Sequence, residues 1–240
     1  MRMKISNKIY AVVTIATTIS FAAQAQEAVK APMIQQVPVE AKATSNEEQE
    51  KKAAEWVSSL QLNDAAKEDR LKAVIATHLK TIRDWNNEHP FTTVPAGIDP
   101  ATGKPLNDLE RQIIANSAMS KSVHTDLMSG LRKDLTEDQV KLILDKYTIG
   151  KVAFTMAGYK AIVPDLTPTE EKAIQANLEQ AREQAVDYKS MKQISAIFEI
   201  YKTKSEQYLN ANGRNWHNLF KAYVDAVKAK KATDKAKPVQ

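Results

Sequence analysis

The chain has 240 residues, a formal charge of +5, six glycines, four histidines and no cysteine. Without cysteine there is neither a disulfide nor a thiol to carry a lipid anchor, and so few glycines leave little room for a phosphate-cradling loop. The positive charge is not a nucleic-acid footprint: Arg2, Lys4 and Lys8 lie at one end, and the stretch from Lys228 to Gln240 holds five lysines against one aspartate at the other, so the part between is slightly acidic.

Residues 1–25 have the order of a secretory signal peptide. Three cations precede an apolar run from Ile9 to about Phe21, and Ala23-Gln24-Ala25 gives a small-residue cleavage pattern after Ala25. The run is too short to span a bilayer comfortably. The expected product is periplasmic or secreted, with no membrane span after cleavage. Residues 26–45 show no hydrophobic period and contain two prolines, which reads as a flexible segment.

A first helix is expected over Asn46–Ser59, with Ala53, Trp56, Val57 and Leu60 on one side. Asn63 or Asp64 then caps a second helix with an apolar row at Leu71, Val74, Ile75, His78, Ile82 and Trp85. It stops at His89-Pro90. The next sixteen residues carry Pro90, Pro95, Pro100 and Pro105, a loop long enough to be functional or disordered, although Asp99-Pro100-Ala101-Thr102-Gly103 suggests a turn.

A third helix is expected over Asn107–Arg132, polar in the middle. Thr136 caps a short helix bearing Val140, Ile143, Leu144 and Tyr147, Gly150 permits a bend, and apolar spacing then continues from Val152 to Val163. Thr167, Pro168 and Glu170-Glu171 form the strongest helix start in the chain, leading into a stripe at Ile174, Leu178, Ala181, Ala185 and Tyr188. Ser190 caps the next helix, Gly213 stops it, and a last helix starts near Trp216. No alternating runs with hairpin turns occur. The expectation is all-α: a multihelical bundle of about eight helices, forming one domain over 46–231, with a disordered basic tail over 232–240.

The histidines His78, His89, His124 and His217 are scattered and form no His-Glu-x-x-His pair, so no metal and no cofactor are expected. His78, on an apolar stripe, reads as a hydrogen-bonded core residue. Glu179, Glu183 and Asp187 make an i, i+4, i+8 row. On a regular helix Glu183 points opposite Ile174, and Arg182 lies about 80° from it; a solvated face is the plainer reading, unless a neighbouring helix buries the row. Arg182 would then have to pair with an acid. Tyrosine and tryptophan make up ten of fifteen aromatics. Tyr159, Tyr188, Tyr201, Tyr208, Arg214 and Trp216 are the rings and cation that could face a sugar, which wants flat platforms beside orienting polar groups.

From Thr148 to Gly213 several phrases fall in a recognisable order: Thr148-x-Gly150, Tyr159, Pro164-x-Leu166-Thr167, Ala181-Arg182-Glu183-x-Ala185-x-Asp187, Phe198-x-x-Tyr201-Lys202 and Tyr208-Leu209-x-x-x-Gly213. In these the chain resembles a family of exported bacterial helical proteins catalogued as a domain of unknown function and described as sugar-binding. The resemblance implies a place among genes for pectin and other plant-polysaccharide breakdown, and an oligosaccharide or polysaccharide ligand. On the matched positions it points to Arg182, Glu183 and Asp187, with Tyr159, Tyr201 and Lys202 beside them; Arg214 and Trp216 complete the expected ligand-binding set. Three functions follow for testing: a glycan-binding accessory protein, a glycan hydrolase or lyase using the Glu183 and Asp187 carboxylates, and a periplasmic helical chaperone or stress sensor suggested by Leu135-Thr136-x-x-Gln139. Oligomeric state is not legible in the sequence.

Overall fold

The computed structural model describes residues 39–100 and 102–236. The expected signal peptide, most of the segment after it and the last four residues lie outside these. Among the described residues there are nine α-helices: α1 (Val39–Ser58), α2 (Ala65–Glu88), α3 (Asp108–Ser117), α4 (Lys121–Asp134), α5 (Glu137–Thr148), α6 (Lys151–Ile162), α7 (Pro168–Ala185), α8 (Met191–Ala211) and α9 (Trp216–Ala236). The fold is all-α, as the periodicity predicts, and helix extends past both expected domain boundaries, 46 and 231.

Side-chain caps set most of the boundaries. Asp64 accepts from the Lys67 amide at 3.0 Å. Asn107 with Glu110, Thr136 with Gln139, Thr167 with Glu170 and Ser190 with Gln193 form reciprocal capping boxes. Each cap satisfies amides that the helix itself cannot, and is worth about 1 kcal/mol.

The helix expected over Asn107–Arg132 is two helices. At Ser117 the hydroxyl donates to the Ile114 carbonyl at 2.7 Å, Ala118 closes α3, and Ser120 accepts from the Ser122 amide to open α4. Serines compete with the helical ladder for backbone groups, and here that competition breaks the rod at residues 118–120. In the described part of the proline-rich loop there are a 3₁₀ turn at Phe91–Thr93 and an isolated bridge between Ile98 and Pro105. Arg111 fastens the loop by donating twice to the Val94 carbonyl, at 3.1 and 2.6 Å.

Two apolar clusters form. One joins α1, α2, α4 and α5 around Val57, Leu71, Ile75, Leu131 and Ile143. The other joins α6, α7 and α8 around Ile174, Leu178, Ile197, Phe198 and Leu209. The end of α7 belongs to both: Ala185 lies in the second cluster, and Val186, the next residue, in the first.

The start of α7 is clamped to the approach to α9. Arg214 donates to both Glu170 oxygens at 2.9 Å and to Asp165 at 2.8 Å. These bonds, with the Thr167 amide next, hold the Glu170 carboxyl down to about 2 from its ordinary 4.5. A carboxyl lowered on folding stabilises above its unfolded pKa and loses that contribution as pH falls through the folded one. Glu170→Gln, which keeps a capping acceptor but no charge, is therefore expected to lower the urea midpoint at pH 7. The gap from wild type should close between about pH 4.5 and 2. Urea titrations of both proteins across that range check this.

Candidate functional site

A cleft of about 660 Å³ opens where the α3–α4 break faces α7 and α8. One wall is the break itself with the first turn of α4: Asn116, Ser117, Ser120, Lys121, His124 and Thr125. The other is Gln180, Glu183 and Gln184 of α7, Asp187 and Tyr188 just beyond it, and Tyr201 of α8. Had α3 continued straight into α4, the first wall would be an unbroken helix face.

Behind the cleft, three helices and the residue just beyond α7 contribute to one chain of hydrogen bonds. Asp187 Oδ2 meets His124 Nδ1 at 2.8 Å, and Asp187 Oδ1 meets His78 Nε2 at 3.0 Å. The other nitrogen of His78 lies 3.2 Å from the Tyr147 hydroxyl. An ionised carboxylate only accepts, so His124 Nδ1–H and His78 Nε2–H donate to it, and His78 Nδ1 accepts from Tyr147. This leaves His124 Nε2 turned to the cleft, 3.7 Å from Glu183 Oε1.

The electrostatics follow from the geometry. Burial pushes the Asp187 carboxyl up, but the hydrogen bonds from His124 and His78 outweigh it and hold the group below its ordinary value. The same bond to Asp187 raises the His124 pKa, opposed by burial and helped by the charges of Asp187 and Glu183. Burial, and then the Asp187 charge, keep the Tyr147 phenol protonated, as a donor to His78 must be. Exposure falls stepwise along the row: the side chains of Glu183, His124, Asp187 and His78 are 46%, 29%, 21% and 2% exposed.

Three of the expected ligand-binding residues, Glu183, Asp187 and Tyr201, share this cleft. Arg182 does not line it. Its guanidinium is buried and pairs with Asp145 of α5 at 3.0 Å, the acid partner that burial demands, and so ties α7 to α5. Tyr159, Lys202 and Trp216 lie at a separate depression between α6, α8 and α9, where the Tyr159 hydroxyl donates to the Lys202 carbonyl at 3.1 Å. Tyr159 is buried, and its ring centroid lies 5.2 Å from that of Trp216 with the planes tilted by 41°. Arg214 is occupied by the clamp on α7.

The residues not singled out from the sequence are His124, His78 as a partner of Asp187, and Tyr147. Residues 78, 124, 147 and 187 share no local spacing; only packing joins them. The one sequence signal was a histidine on an apolar stripe, which needs polar partners somewhere. Among the described residues no group of three or more His, Cys, Asp or Glu side chains is disposed to hold a metal, and the His78 and His124 nitrogens nearest Asp187 are spent on its carboxylate. No helix among them is long and apolar enough to cross a membrane.

His124 is expected to titrate above 6.5, and Asp187→Asn to bring it down towards that value by removing the bond that raises it. Heteronuclear NMR of the imidazole across pH 5–9 reads both; a His124 that titrates identically in the two proteins would contradict the relay.

A comparison with curated proteins gives no match. Residues 46–229 match the family described as "Protein of unknown function (DUF3826)", a span that includes all four residues of the relay and both walls of the cleft. The chain belongs to that family of proteins of unknown function.

Proposed function

We propose that this chain is a carbohydrate-binding protein acting outside the cytoplasm in plant-polysaccharide utilisation, and that its oligosaccharide lies in the cleft between the α3–α4 break and α7–α8. The observation that carries this reading is the composition of the walls. Two tyrosines, Tyr188 and Tyr201, stand beside the amides of Asn116, Gln180 and Gln184 and the hydroxyls of Ser117, Ser120 and Thr125. A pyranose presents flat C–H faces with hydroxyls at the edge, and rings beside fixed donors and acceptors answer both. The signal-peptide pattern of residues 1–25 supports the extracytoplasmic setting.

Charge narrows the ligand. The cleft presents the Glu183 and Asp187 carboxylates against Lys121 and a histidine. A polyuronate would meet two like charges, so a neutral oligosaccharide fits better than an acidic one. Lys204 lies over the Tyr201 ring, 4.2 Å from its centroid, and Tyr201 is partly buried against the second apolar cluster while lining the cleft.

A second reading has one observation behind it. Phe154, Phe220 and Tyr223 are exposed around the separate depression at α6 and α9, as a chaperone's client-binding surface would be. Slowed aggregation of an unfolded client, lost in Phe154→Ser, would favour it.

Calorimetry against a panel of neutral and acidic plant oligosaccharides tests the main reading. Heat with neutral members is expected, and Tyr201→Ala should weaken binding about 3- to 10-fold, the loss of one ring–sugar contact. No heat with any member would sink the assignment.

A further inference from the structure

A cleft that only binds sugar has no need of a buried hydrogen-bond relay behind one of its walls. The chain from Tyr147 through His78 and Asp187 ends on His124, which lines the cleft and whose Nε2 the chain leaves unused. Every link upstream fixes the tautomer and orientation of that ring, so the arrangement is one that prepares a base.

The geometry also limits the reaction. Glycoside hydrolysis by two carboxyl groups needs them to flank the bond, about 5–9.5 Å apart and free to act. Here His124 stands between Glu183 and Asp187, and each Asp187 oxygen already holds an imidazole. Asp187 is therefore a positioning residue and not an acid or nucleophile. Elimination from a uronate would bring a third carboxylate into a site that already has two. His124 Nε2 faces Glu183 across 3.7 Å, too far for a direct hydrogen bond but suited to a water that donates one hydrogen to each.

We propose that the cleft hydrolyses O-acyl esters carried by neutral oligosaccharides, with His124 as the general base that activates water. The inference rests on the carbohydrate-binding reading. The water oxygen bonds to the ester carbonyl carbon while its proton passes to His124 Nε2. The tetrahedral intermediate collapses, the bond from the acyl carbon to the sugar oxygen breaks, and His124 returns the proton to that oxygen. The products are a free sugar hydroxyl and a carboxylic acid, which releases its proton to solvent. Glu183 holds the attacking water from the α7 wall, and Lys121, on the opposite wall with His124, is the lysine of the cleft lining that can stabilise the developing oxyanion.

Because the base works unprotonated, activity should rise with pH through the His124 pKa. The titratable groups facing this ring are Asp187 and Glu183 from the α7 side and Lys121 on its own helix, with His78 of α2 beyond Asp187.

The test uses the full chain with O-acetylated xylo- and galacto-oligosaccharides, following acetate release, and calorimetry on the same sugars after deacetylation. Wild type is expected to release acetate. His124→Gln should slow release at least ~100-fold while still binding the deacetylated sugar. Asp187→Asn should slow it by ~100-fold or more and move the acid limb of the pH profile to lower pH, which a merely structural defect would not do. Glu183→Gln, at a half-exposed position, gives a second variant should His124→Gln fail to fold, with at least ~10-fold slower release expected. Binding without acetate release by wild type, or release untouched by His124→Gln or Glu183→Gln, overturns the inference and leaves the binding assignment standing. Neither heat nor release removes both.

Discussion

Asp187 is a carboxylate held largely out of water between two imidazoles, and the rest of the site is arranged around what that costs. A half-buried anion with free oxygens would lose several kcal/mol of solvation, so each oxygen must be met. His78 meets one from α2 and His124 meets the other from α4. Neither helix could shift by a turn without leaving the carboxylate unpaired, and so the acid fixes the register of α2 and α4 against the end of α7. Tyr147 extends the constraint to α5 by supplying the last donor.

The position of that acid follows from packing. Residues 185 and 186 are buried in different apolar clusters, so the chain at the end of α7 passes from one core to the other. A polar group at 187 is thereby caught at the seam, where helices from both sides come within reach. The same seam exposes the wall formed by the α3–α4 break. The cleft and the hydrogen-bond chain thus arise from one feature, the meeting of two small cores at the end of α7. Arg182 holds α7 from behind through Asp145, and the Arg214 clamp holds its start; both bear on the cleft through α7 without lining it.

The division of the expected residues between two depressions shows how far helical periodicity reaches. Tyr201 and Lys202 are adjacent in sequence, yet adjacent positions on a helix point about 100° apart. One therefore faces the cleft beside Asp187 and the other the depression beside Trp216. The row Glu179, Glu183, Asp187 was readable as one stripe, and the approach of α4 decided that its last two members would face a cavity.

Most of the helices could be read from the residues alone, because capping residues and the 3.6-residue apolar period are local: Asp64, Thr136, Thr167 and Ser190 open their helices as their side chains require. The sequence also determined that Arg182, if buried, would need an acid. It did not show the break between α3 and α4, since the serines that compete for the backbone there look in sequence like an ordinary polar face. Nor did it show His124 and His78 meeting on Asp187, 63 and 109 residues away along the chain. Packing brings them together, because contact between distant helices depends on how two whole apolar surfaces interlock, and no local spacing encodes it.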